Sequence, residues 1–97
     1  MTPTYKECTR LYRCSDYPRR IRAESPGHAA GIVARYLARK RHGRAAFVWR
    51  TNEDGRTQNR ITGRIVACHY AATVCGRGSL RSGYPILGEI RLTIHME

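Results

Sequence analysis

The chain predicts an α+β fold, with one helix packed on one face of a four- to five-stranded, mostly antiparallel sheet. Three observations carry this. Tyr17 to Ala23 alternates, with Arg19, Ile21 and Ala23 on one side and Arg20 and Arg22 on the other. Ser25-Pro26 opens a single amphipathic segment that reaches about His42. Glu89 to Met96 alternates again, with Ile90, Leu92, Ile94 and Met96 on one side. A period of two is that of a half-buried strand, and a period near 3.6 that of a surface helix. With one helix, the second face of the sheet is left at least partly to solvent or to a partner.

The first segment, Thr4 to Asp16, fits two patterns. Arg10, Tyr12 and Cys14 alternate with Leu11 and Arg13, as in a strand. Tyr5, Cys8, Leu11 and Tyr12 also share one face of a short helix. A strand paired with Tyr17–Ala23 is the expectation. Ser25 then supplies an oxygen for a free N–H of the first helical turn, and Pro26 loses nothing there by lacking its own N–H. Ala29, Ala30, Val33 and Leu37, with Tyr36 beside them, form the predicted core face, and the small Ala residues allow a close seat on a sheet. His28, Ile32, Arg35, Arg39 and His42 make the opposite stripe. Lys40 and Arg41 meet the negative end of the helix dipole, so part of this charge has a local reason. Gly43 is the predicted stop.

Ala45 to Arg50 is the predicted returning strand, and Trp49 is assigned to the core rather than to a stacking surface. Thr51 to Gly55 ends in Asp-Gly, a hairpin-turn signal. Arg56 to Val74 is expected as one long strand, or two pieces broken at Gly63, where a bulge is predicted. Within it Cys68, Tyr70, Ala72 and Val74 share one side; Ala67, His69, Ala71 and Thr73 share the other. Cys75 to Gly83 is a basic, glycine-rich loop, closed by Tyr84-Pro85.

At 97 residues, 1–97 is expected to be a single small domain with one modest core. Lys and Arg number 18 against 7 Asp and Glu, a formal net charge of +11. Lys occurs only at Lys6 and Lys40. Arg keeps its charge and forks donors onto phosphate or carboxylate, which suits anionic partners; a GC-rich coding sequence would favour Arg as well. Met1 to Lys6 lacks the apolar core of a signal peptide, and no apolar run is long enough to cross a membrane. A cytoplasmic location, in a bacterial host, with no membrane partner is the expectation. There the four Cys would be free thiols or metal ligands rather than a disulfide framework.

Metal and catalytic patterns are weak. Cys8 and Cys14, and Cys68 and Cys75, are spaced too widely for a zinc knuckle. No nucleophile elbow is present, and Asp16, Glu24, Glu53, Asp54 and Glu89 are scattered. Neither an enzyme nor a bound cofactor is expected; a small zinc protein or enzyme is the third reading. Gly76-Arg77-Gly78-Ser79 offers backbone N–H groups to a phosphate but lacks the ending of a nucleotide P-loop. The broadest signal is basic: Arg20 and Arg22, Arg35 and Arg39, and Arg77 with Arg81. These six are the candidate contact residues. Tyr12, Tyr17, Trp49, Tyr70 and Tyr84 are available for base stacking where exposed, with the core the favoured place for Trp49.

The run Ile21 to Ala30, Ile-Arg-Ala-Glu-Ser-Pro-Gly-His-Ala-Ala, with its helix and following strands, resembles small type I anti-CRISPR proteins of phages and mobile elements, over roughly residues 19–56. The resemblance implies a strand, a Ser-led helix and a short antiparallel sheet. Such proteins share no catalytic motif, so no functional residue carries over. Many are acidic DNA mimics, and this chain is the reverse. A basic member would touch an acidic protein surface of a CRISPR effector or another nucleoprotein complex, or the nucleic acid bound to it. The expected function is therefore a non-enzymatic phage or mobile-element protein that docks on and inhibits a host nucleic-acid-handling complex. The alternative is direct DNA or RNA binding by the same Arg-rich faces. An exposed sheet face also leaves a homodimer open.

Overall fold

The computed structural model describes residues 9–78 and 81–97. It is an α+β arrangement of five strands and one helix. The strands are β1 (Arg10–Arg13), β2 (Ile21–Ala23), β3 (Phe47–Gln58), β4 (Ile65–Cys75) and β5 (Ile86–Met96); α1 is Pro26–His42. The sheet is antiparallel, in the order β2-β1-β5-β4-β3.

The predicted pairing of the first two strands is present, with Leu11 opposite Arg22 and Tyr12 opposite Ile21. The second strand is shorter than its alternation predicts. Tyr17 N–H donates to the Cys14 carbonyl at 3.0 Å, closing a tight turn, and Pro18 has no N–H to donate. Pairing begins only at Ile21. Helix α1 starts as its sequence specifies: the Ser25 hydroxyl accepts from His28 N–H at 3.1 Å. It ends at Gly43, whose N–H reaches the Arg39 carbonyl. The side toward the sheet buries Ala29, Ala30, Val33, Ala34, Leu37 and Ala38. Tyr36 is half-buried and stacks edge-on against Tyr17, with ring centroids 5.1 Å apart. Opposite the helix, Cys68, Tyr70, Ala72 and Val74 of β4 join Ile90, Leu92 and Ile94 of β5 in one core.

Turn and bulge exchange places relative to the expectation. Asp54-Gly55 is not a hairpin turn; β3 runs through it to Gln58. Glu53 pairs with Tyr70 and Arg56 with Cys68, so Asp54 and Gly55 together oppose His69 in a bulge. Gly55 takes φ 119°, a value that only glycine adopts without strain. The chain reverses instead at Asn59–Arg64. Asn59 N–H donates to the Arg64 carbonyl at 2.8 Å, and the Asn59 side-chain oxygen accepts from Ile61 and Thr62 N–H at 2.9 and 3.0 Å. Gly63, at φ 74°, belongs to this turn and not to a bulge. The long stretch from Arg56 is therefore the end of β3, a turn and β4.

Trp49 also departs from its assignment. Val48 pairs with Val74 and Arg50 with Thr73, leaving Trp49 as the extra residue of another bulge. Val48 packs on the core, and Phe47 and Trp49 alternate away from it. Trp49 is 60% exposed. The helix already covers the inner face at this point, with Ala38 and Ala46 buried beside Val48.

Candidate functional site

Acidic and basic groups are distributed unevenly. Glu97 pairs with Arg13 at 3.3 Å and with Arg20 at 3.2 Å. Glu53 pairs with Arg56 across the Asp54-Gly55 bulge. Arg91 bridges Asp54 and Glu89, each at 3.0 Å. These pairs occupy the β2 edge and the outer part of the sheet. No ion pair among the described residues reaches Arg35, Arg39, Arg44, Arg50, Arg77 or Arg81.

The six candidate arginines therefore fall into three places. Arg20 is engaged by Glu97, and Arg22 donates to the Thr9 hydroxyl at 3.3 Å. Both lie at the β2 edge, with three strands between them and β3. Arg35 and Arg39 share one groove of about 470 Å³ on the outer side of α1, with Ile32, Tyr36 and Lys40. Ile32 and Tyr36 are half-buried and make an apolar floor; the cations rim it. The Lys40 ammonium stands 5.8 Å from the Tyr36 ring centroid, within cation–π range. Arg77 and Arg81 are exposed in the β4–β5 connection, whose Ser79 and Leu80 lie outside the described residues. Gly76 N–H donates to the Pro85 carbonyl at 2.9 Å, so it is not offered to a phosphate. Gly78 meets the Gly83 carbonyl so closely that a Cβ there would lie 1.9 Å from the oxygen.

The stacking candidates Trp49 and Tyr84 stand together on the other face, with Phe47 and Ile86, which no motif singled out. Phe47, Trp49, Cys75, Tyr84 and Ile86 line a groove of about 390 Å³. Phe47 and Tyr84 meet edge to face at 5.6 Å, and the Arg50 guanidinium lies 5.0 Å from the Trp49 ring. The period of two in Phe47-Val48-Trp49 would have put Trp49 outward had Val48 been taken as the core residue.

His69, which with the four Cys supplies donors enough for a zinc site by residue type alone, is instead the centre of a hydrogen-bonded cluster. Its Nε2 lies 2.7 Å from the Thr57 hydroxyl and its Nδ1 2.8 Å from the Thr93 hydroxyl. A neutral imidazole donates through one nitrogen and accepts through the other, so this is a three-strand polar clip. A hydroxyl in place of a carboxylate does not stabilise an imidazolium, so the arrangement lacks the base-orienting charge of a nucleophile triad. Burial raises the thiol pKa of Cys14 and of Cys68, which keeps both protonated and poorly nucleophilic. Cys75 is also buried, and Cys8 lies outside the described residues. Among the described residues no three His, Cys, Asp or Glu side chains converge on a point where a metal would sit, and no helix is long and apolar enough to cross a membrane.

Comparison with protein-family models, curated proteins and solved structures finds no match. Function is therefore read from the residues and their placement.

Proposed function

We propose that the chain is a non-enzymatic docking protein of phage or mobile-element type, which occupies an acidic surface of a host nucleic-acid-handling complex and inhibits it. A CRISPR effector is the candidate target, from the resemblance of the Ile21–Ala30 run and its helix. The observation that carries the reading is the outer groove of α1. Arg35 and Arg39, which pair with no acidic side chain among the described residues, flank half-buried Ile32 and Tyr36. Tyr and Arg around an apolar floor are the residue types that concentrate binding energy at protein interfaces. Seventeen-residue α1 holds them rigidly, because its other side is fixed in the core. Long-range attraction from the +11 charge would speed encounter with an acidic partner.

The test is binding of the purified protein to a purified type I effector complex. Reversing both Arg35→Glu and Arg39→Glu is expected to weaken the complex at least about tenfold. Unchanged affinity would remove this face from the interface. Direct binding of a phosphate backbone by the same face would instead appear as affinity for free duplex, lost steeply as salt rises.

A further inference from the structure

We infer that the groove on the helix-free face, at the start of β3, is a separate site that stacks an unpaired base of single-stranded nucleic acid. It goes beyond the docking role, because it uses different residues on the other side of the sheet.

The rings are presented, not merely left over. Val48 packs on the core, so Phe47 and Trp49 alternate outward, and the register with β4 leaves Trp49 as the extra residue of a bulge. Phe47 and Tyr84 brace each other edge to face, which fixes both rings beside it. Trp49, Tyr84 and Ile86 are 60%, 53% and 68% exposed. Cys75, buried, forms the floor. The lining is apolar and aromatic, and no acidic side chain contributes to it.

The surrounding charge selects the occupant. Arg50 lies over Trp49 and has no acidic partner among the described residues; Arg77 follows Cys75 by two residues and is exposed. A flat apolar slot beside uncompensated guanidinium groups fits a base with its phosphates: the ring stacks and the backbone meets the cations. A second copy of this chain would bring +11 against +11. An uncharged apolar peptide would leave the arginines without use. Double-stranded nucleic acid keeps its bases stacked on each other and offers none to the groove.

Trp49 is the sole tryptophan, so its fluorescence reports this groove alone. Titration with oligothymidylate is expected to quench that fluorescence to saturation, while duplex DNA and inorganic polyphosphate leave it nearly unchanged. Labelled-oligonucleotide anisotropy should show Trp49→Ala weakening binding roughly ten- to a hundredfold, with Trp49→Phe retaining most of it. Circular dichroism of each variant checks folding. The double reversal of Arg35 and Arg39 should leave the quench amplitude intact, which separates this site from the docking face. Oligothymidylate that binds without quenching, equal quenching by polyphosphate, or full affinity in folded Trp49→Ala would each overturn the assignment. So would a concentration-dependent dimer that buries Trp49.

Discussion

Tyr70 lies in the core under the start of α1, near Gly27 and beside Cys68. Burial, reinforced by the neighbouring Cys68 and Glu53, pushes its phenol pKa up to about 12. A phenol is neutral when protonated, so a raised folded-state pKa means that the native chain holds this proton more tightly than the unfolded one. The stabilisation is complete below the unfolded pKa of about 10 and is lost as pH rises through about 12. Tyr70→Phe should therefore flatten the fall in urea midpoint over that alkaline range; an unaltered profile would show that other groups cause it. Ile94 and Ile90 are almost fully buried. Ile94→Ala should lower unfolding free energy by about 2–5 kcal/mol, read from the urea midpoint at constant m-value. Both positions follow from the alternation of the last strand. His69 does not: its partners Thr57 and Thr93 come from two other strands, 12 and 24 residues away in sequence.

The best-specified element is α1. Its Ser25 cap, Pro26 start, small-residue core face and Gly43 end are all local signals, and each is realised. Ser25→Ala should cost about 1 kcal/mol of stability, measured by denaturant titration. The β3–β4 hairpin was harder to read. Asp-Gly is a strong turn signal only when the flanking strands can pair around it. Here Glu53–Tyr70 and Arg56–Cys68 pairing continues across it, and Arg91 of β5 reaches over β4 to hold Asp54. The turn falls later, where Asn59 satisfies two N–H groups with one side chain. Asn59→Ala should lower stability by about 1 kcal/mol and raise amide exchange at Ile61 and Thr62. Faster exchange at Asp54 and Gly55 instead would place the turn where the dipeptide suggested.

Across the whole molecule, four acidic residues of the described chain are matched to arginines at one edge and on the outer sheet, and the positive excess gathers around α1 and the start of β3. That layout predicts salt-sensitive association with any polyanion. The logarithm of affinity for oligothymidylate should fall linearly with the logarithm of salt, with a slope of about −0.7 per phosphate neutralised. A flat dependence would mean that the arginines do not touch phosphate. The six arginines picked from sequence were legible as charge but not as one surface. Arg20 and Arg22 are drawn to Glu97 and Thr9 at the β2 edge, and Arg35 and Arg39 share a groove on the outer side of α1. Local pattern by itself determined the α+β class, the helix with both its ends, the two-sided alternation of β4 and β5, and the basic character. Those depend on neighbours within a turn or along a strand. Tertiary structure alone decided where the hairpin reverses, which arginines are neutralised and that Val48, not Trp49, is the residue of that strand on the core. Each of these is set by registers and partners from distant strands, and a bulge of one residue reverses which face a side chain takes.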